Sequence, residues 1–127
     1  MRRLVVILLI GLVSAGCGGV ALLATGAGVG VGTYAWIQGE LKRSYPATYD
    51  TVWNAARDAL QSLEMPVLSE QRDALKGTIM AKRADGNDVR VNVKYLTDRT
   101  TEVAVRVGLF GDRAASTMIH ESIQTRL

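Results

Sequence analysis

No charged side chain occurs between Arg3 and Glu40, and this gap limits what the amino-terminal part of the chain can fold into. The gap opens with residues 4–13, a run that is apolar throughout except for one Gly. As a helix this run would rise about 15 Å, which is too short to cross the ~30 Å hydrocarbon core of a bilayer. Because Arg2 and Arg3 precede it, the run predicts a secretion signal, and the folded domain is expected after the gap.

Small residues and a cysteine follow the apolar run, in the order Ser14, Ala15, Gly16 and Cys17. This order resembles a lipobox, the signal at which bacterial lipoproteins are cleaved and acylated, except that Ser14 stands where Leu is usual. It predicts a signal peptide over residues 1–16 and attachment of the mature chain to membrane lipid through Cys17. An uncleaved membrane anchor is the alternative. Because Cys17 is the only cysteine, no internal disulfide can form.

Gly18, the residue after the cysteine, bears on the membrane to which the chain is sent. Asp at this place is the usual signal for retention in the inner membrane of enteric bacteria. Because Gly18 stands there instead, we expect the chain in the outer membrane of the cell envelope, facing the periplasm.

Residues 17–39 form a membrane-proximal segment that is rich in Gly and Ala. Four of its glycines recur at even spacing, so that members four apart share one face of a helix: Gly26, Gly28, Gly30 and Gly32. Such spacing lets another backbone approach closely, as in membrane helices, and Trp36 suits a membrane interface. These five residues therefore predict a contact with membrane or with another helix. A flexible tether between lipid and domain is the alternative.

From Glu40 onward, apolar and charged residues follow the patterns of a folded domain. Thr48 is a suitable N-cap for a first helix, in which apolar residues recur at helical spacing as far as Leu63. Asp112 is a suitable N-cap for a second helix. Between the helices, apolar and polar residues alternate as in strands, most clearly over residues 89–95. One face of the sheet is then apolar and the other charged, which is typical of an antiparallel sheet open to water on one side.

The order of these elements, β-α-β-β-β-β-α, predicts an α+β domain over residues 40–127. We expect an antiparallel sheet of four to five strands with two helices packed on one of its faces. Trp53 flanks the apolar stripe of the first helix and is expected in the core. Gly108 and Gly111 predict a tight turn before the second helix, with Phe110 tucked beneath it. An exposed hydrophobic contact at that turn is the alternative.

The charge of the chain does not favour nucleic acid as a partner. The formal net charge is +3, but Arg2 and Arg3 lie in the predicted signal peptide. From Cys17 onward, thirteen Lys and Arg residues stand against twelve Asp and Glu residues. So evenly mixed a composition lacks the basic patch that phosphate binding requires.

His120 is the only histidine, so a metal site with several histidines cannot form within one chain. Its place between Ser116 and Gln124 on the second helix predicts a solvated side chain on the outer face of that helix. Asp85 and Asp88 flank a turn, and turn chemistry explains them better than cation binding. No sequence pattern indicates two carboxylates that could act as general acid and general base. We therefore expect no catalytic, cofactor-binding or metal-binding residues and no enzyme.

Six short stretches of the chain carry a resemblance to known proteins: Tyr34-Ala35-Trp36, Gly39-Glu40-Leu41, Tyr45-Pro46, Val52-Trp53, Arg83-Ala84-Asp85-Gly86 and Arg106-Val107-Gly108-Leu109-Phe110-Gly111-Asp112. Together they resemble a family of small lipoproteins of unknown function found mainly in Gram-negative bacteria. The resemblance covers nearly the whole chain, and the last stretch is its most specific part. It implies a lipid-anchored protein without an established activity. The order of helices and strands is also similar to the helix-grip domains of an outer-membrane assembly lipoprotein.

The sequence is consistent with two functions. In the first, the chain is a lipid-anchored envelope protein whose domain is a non-catalytic module that binds a partner, such as another envelope protein. In the second, the uncharged residues 18–37 drive self-association in or on the membrane, and the domain supports the oligomer. Neither function needs a cofactor.

Overall fold

Side-chain caps define where both helices begin in the domain, which a computed structural model describes over residues 33–127. Thr48 caps helix α1 (Tyr49–Ser62), because its hydroxyl oxygen accepts a hydrogen bond from the Thr51 amide at 3.3 Å. Asp112 caps helix α2 (Arg113–Gln124) in the same way, accepting from the Ala115 amide at 3.0 Å. Each cap satisfies an N–H group that has no acceptor inside its helix. Both predicted N-caps are therefore confirmed.

Within the described residues, six antiparallel strands form one sheet: β1 (Tyr34–Ile37), β2 (Glu40–Tyr45), β3 (Val67–Arg72), β4 (Lys76–Lys82), β5 (Asp88–Thr97) and β6 (Thr100–Val107). Their order across the sheet is β1-β2-β6-β5-β4-β3. The pairing of β2 with β6 brings the second strand of the described domain against its last one. The other four pairs are hairpins between strands consecutive in the chain.

The α+β class and the antiparallel sheet are confirmed, but the prediction of four to five strands is wrong. The additional strand is β1, so the order of elements is β-β-α-β-β-β-β-α. It lies within the uncharged residues 17–39, where apolar side chains suit a membrane segment as well as a strand. A two-residue turn joins it to β2, and both turn residues, Gln38 and Gly39, have a positive φ. That conformation is the one tight hairpins require.

Both helices pack on the same face of the sheet. They contact each other, and both contact β6. Alternate valines of β5 and β6 point into this layer and are fully buried or nearly so: Val89, Val91, Val93, Val103, Val105 and Val107. Trp53 is buried there as predicted and lies over Gly77, where an added Cβ would come 2.5 Å from the Trp53 Cζ3 atom. Within residues 33–127, neither helix has the length and apolar character needed to cross a membrane.

Candidate functional site

A row of polar side chains crosses the sheet on the face opposite the helices. Lys42 on β2 is paired with Ala104 on β6, which is paired in turn with Asn92 on β5. Thr78 on β4 is paired with Asn92, and its hydroxyl donates a hydrogen bond to Asn92 Oδ1 at 2.8 Å. We call this side of the sheet the open face. Because paired residues of neighbouring strands point the same way, the sheet holds these side chains in a fixed row.

A groove of about 600 Å³ follows the open face. Its walls carry charges of both signs. Lys94 lies between Lys76 on β4 and Glu102 on β6, while Lys42 and Glu40 line the groove from β2. A wide groove of mixed charge with hydrogen-bonding groups at its base suits a polar ligand better than an apolar one.

A second cavity, of about 420 Å³, lies at one end of the open face between Met80, Arg90, Arg106 and Leu109. Arg106 fixes the local structure, because its guanidinium bonds to two separate loops. Nη1 donates to the carbonyl oxygen of Gln38 at 3.1 Å, and Nη2 donates to the carbonyl oxygen of Leu109. Arg106 therefore ties the turn between β1 and β2 to the loop between β6 and α2.

These two loops also meet through their glycines. A Cβ added at Gly39 would lie 2.9 Å from the carbonyl oxygen of Phe110. A Cβ added at Gly111 would lie 2.7 Å from the Cα atom of Gly39 and closer still to its carbonyl oxygen. Since a real Cβ does not approach backbone so closely, only glycine fits at either place.

Four exposed apolar residues stand at this end of the domain, and we call them the apolar tip. Leu109 is 78% exposed and Phe110 is 87% exposed, both in the loop between β6 and α2. Trp36 and Ile37, at the end of β1, are 36% and 47% exposed. The expectation that Phe110 is tucked beneath its turn is therefore wrong. The alternative, an exposed hydrophobic pair at Leu109 and Phe110, is what the structure shows.

His120 is fully buried, so the prediction of a solvated histidine is also wrong. Its Nε2 atom lies 2.7 Å from the carbonyl oxygen of Leu41, which can only accept, so Nε2 carries the proton and donates. Its Nδ1 atom then accepts a hydrogen bond from the Tyr45 hydroxyl at 2.6 Å. The Tyr34 ring meets the imidazole edge-on, with the centroids 5.4 Å apart. His120 thus ties α2 to β2 inside the core.

Burial keeps both partners of this hydrogen bond neutral. It lowers the pKa of His120 to about 4, and the charge of nearby Arg43 acts in the same direction, against the hydrogen bond to Leu41. Burial also raises the pKa of the Tyr45 hydroxyl above its usual value. Neither group changes its protonation near neutral pH, which fits a structural contact between helix and strand.

The chain matches a protein-family model over residues 3–126, and that family is described as "Protein of unknown function (DUF3568)". The chain belongs to the DUF3568 family. The resemblance to a family of unknown function is thereby confirmed over nearly the whole chain. No curated protein matches this DUF3568 chain.

The predicted site residues of this DUF3568 chain fall in two groups. Cys17 and the four glycines, Gly26, Gly28, Gly30 and Gly32, lie outside the described residues 33–127. Trp36 lies inside them, in β1, opposite Leu41 of β2 and at the apolar tip. Within the same range, no group of three or more His, Cys, Asp or Glu side chains is placed to hold a metal ion.

Sequence reasoning missed the row on the open face of the DUF3568 domain. Lys42, Asn92 and Thr78 each occupy the polar side of an alternating strand, and so do many residues that merely face solvent. Their alignment depends on the pairing of β2 with β6, which connects residues about sixty positions apart. The alternation of Val89, Val91 and Val93 did indicate which face of β5 is polar, but nothing local identified the neighbouring strands.

Proposed function

We propose that this DUF3568 protein is a lipid-anchored protein of the cell envelope whose domain is a non-catalytic binding module. The observation that carries the proposal is the groove on the open face, which faces away from both helices and presents fixed polar side chains. We further propose that the fold is helix-grip-like, with α1 and α2 packed on one side of the sheet. In that arrangement the other side is left for a ligand.

The anchor is supported by the order of residues at the amino terminus. Arg2 and Arg3, the apolar residues 4–13 and the small residues before Cys17 are the successive parts of a lipoprotein signal. Two or three acyl chains hold a protein stably on a bilayer, whereas a single myristoyl chain holds it only marginally. Because Gly18 replaces the Asp that retains enteric lipoproteins, the proposed destination is the outer membrane, facing the periplasm.

The binding role is supported by the chemistry of the open face. Lys42 and Lys94 can pair with anionic groups of a ligand, and Glu102 with a cationic group. Asn92 and Thr78 can exchange hydrogen bonds with neutral polar groups. Each such contact is modest alone, at about 0.5–1.5 kcal/mol for a neutral hydrogen bond, so several in a row are needed for useful affinity. The cross-strand row supplies several within one groove.

Cys17→Ala should block cleavage and acylation and leave the unprocessed precursor, because the thiol that receives the lipid is missing. Labelling with a radioactive fatty acid, together with the size of the chain on gels, measures both steps. Ser14→Leu is the matched control, since it restores the usual lipobox residue and should be processed and labelled normally. Mature chain of normal size with normal lipid label in Cys17→Ala would refute the anchor.

A photo-crosslinking residue at Lys94 should capture an envelope partner in cells, and the same residue at Gln124, exposed on α2, should not. Lys42→Glu combined with the probe at Lys94 should reduce the capture about tenfold, if reversing the charge costs about 1.4 kcal/mol of binding free energy. Arg99→Glu, an exposed charge reversal in the turn between β5 and β6, is the control and should leave capture unchanged. Equal capture at Lys94 and Gln124 would contradict a binding role for the open face.

The alternative function is a membrane-associated oligomer built through residues 18–37. The observation in its favour is the four-residue spacing of Gly28 and Gly32 in a stretch without charge. The same crosslinking experiment separates the two functions. A crosslinked pair of two copies that disappears with Gly28→Leu and Gly32→Leu, but persists with Lys42→Glu, would favour the oligomer.

A further inference from the structure

We propose that the apolar tip rests in the surface of the bilayer to which the chain is anchored, and that this contact orients the domain on the membrane. The inference rests on the lipid anchoring proposed above and goes beyond it. It assigns a role to Trp36, Ile37, Leu109 and Phe110, which the open-face groove does not use. The occupant of the tip is a lipid surface, not a second protein.

The loop of Leu109 and Phe110 is built to present its side chains outward. Gly108 and Gly111 flank the pair with φ angles of 76° and 83°, which the other L-residues rarely adopt. The Arg106 guanidinium also fixes this loop, because it donates a hydrogen bond to the carbonyl oxygen of Leu109. Burial of a Leu or Phe side chain stabilises a fold, and this loop forgoes that stabilisation for two adjacent residues. A contact made outside the described domain would recover it.

The position of the tip along the chain points to lipid as the occupant. Trp36 and Ile37 are the last apolar residues of the uncharged stretch that begins after Arg3. Half of the tip therefore belongs to the membrane-proximal segment itself. Trp favours the headgroup region of a bilayer, and Leu and Phe favour the acyl boundary just beneath it.

The charges around the tip fit anionic headgroups. Arg113 is exposed at the start of α2, three residues after Phe110, and Arg106 lies between the two loops. Two acids lie nearby. Asp112 is already engaged by the Ala115 amide and by the Arg83 guanidinium, which lies 3.2 Å away, whereas Glu40, opposite Ile37 in the hairpin of β1 and β2, offsets one of the two arginines. Cations near an anionic leaflet strengthen the attraction of a protein to the membrane.

A tryptophan placed at the tip should be quenched by brominated lipid. The full-length acylated chain is reconstituted in vesicles of phosphatidylethanolamine and phosphatidylglycerol with bromine on the acyl chains. Phe110→Trp, made with Trp36→Phe, should lose most of its added emission there relative to unbrominated vesicles. Leu75→Trp in the same background is the matched control. It is 63% exposed in the turn between β3 and β4, at the opposite end of the sheet, and should not be quenched. Trp53, buried in the core, serves as an internal reference.

Each outcome decides the proposal. Quenching at Phe110→Trp alone supports it, while equal quenching at both positions or none at either overturns it. A tryptophan at position 110 that is shielded from aqueous iodide yet not quenched by bromine would mean that protein covers the tip, which also overturns it. Vesicle flotation separates this failure from that of the anchor. If the protein floats with the vesicles but is not quenched, the anchor proposal stands and the tip contact is refuted. If the protein does not float, both proposals are refuted.

Discussion

Gly111→Ala should lower the free energy of unfolding by about 3 kcal/mol, roughly 1 from an L-residue at positive φ and roughly 2 from overpacking. The new Cβ would lie 2.7 Å from the Cα atom of Gly39. Backbone on both sides of this contact cannot move away as the end of a flexible side chain can. Urea denaturation followed by the fluorescence of buried Trp53 measures the change.

Gly86→Ala is the matched control for this prediction. Gly86 also has a positive φ, at 90°, but nothing lies within 4 Å of an added Cβ. Its substitution should therefore cost only the conformational part, about 1 kcal/mol. The difference between the two losses of unfolding free energy measures the contact between the turn after β1 and the loop before α2. Equal costs would show that this contact does not hold the two loops together.

Much of the fold follows from local sequence. Thr48 and Asp112 cap their helices through hydrogen bonds that span only three residues, so the residue types alone reveal where the helices begin. In β5 and β6, apolar and polar residues alternate over most of each strand, with Leu96 and Ala104 as exceptions, because one face packs against the helices and the other is largely open. In these elements the local pattern and the tertiary environment agree, so sequence reasoning succeeds.

The failures occur where a distant partner decides the environment. The strand β1 was missed because its apolar residues, Trp36 among them, suit a membrane segment as well as a strand until β2 is seen to pair with them. Phe110 looks like a core residue, but the backbone of its loop packs directly against Gly39, and the Phe110 side chain is left exposed. His120 looks solvated on a polar helix, although Ser116, His120 and Ile123 share a face at helical spacing and are all buried. That spacing was the available signal, and the polar partner that makes a buried histidine tolerable, Tyr45, lies 75 residues away.

The stability of the domain should fall as the pH is lowered from 6.5 to 4, because His120 must remain neutral in the folded state. Its pKa is about 4 when folded, against an ordinary value of 6.5. In this interval the unfolded chain binds a proton that the folded chain does not, so acid favours unfolding. The loss is absent above pH 6.5, grows through the interval and levels off below pH 4. A difference of this size corresponds to about 3 kcal/mol.

His120→Gln separates this effect from that of the carboxylates, which also destabilise folded proteins in acid. The hydrogen bond from the Ala115 amide, for example, lowers the pKa of Asp112, and its stabilising effect is lost as that carboxylate becomes protonated. A Gln amide can donate to the carbonyl oxygen of Leu41 and accept from the Tyr45 hydroxyl, but it does not titrate. Urea denaturation at several pH values should therefore show a shallower pH dependence for His120→Gln between pH 4 and 6.5. Parallel profiles of the variant and the natural chain would mean that His120 accepts its proton in the folded state, and that burial does not hold it neutral.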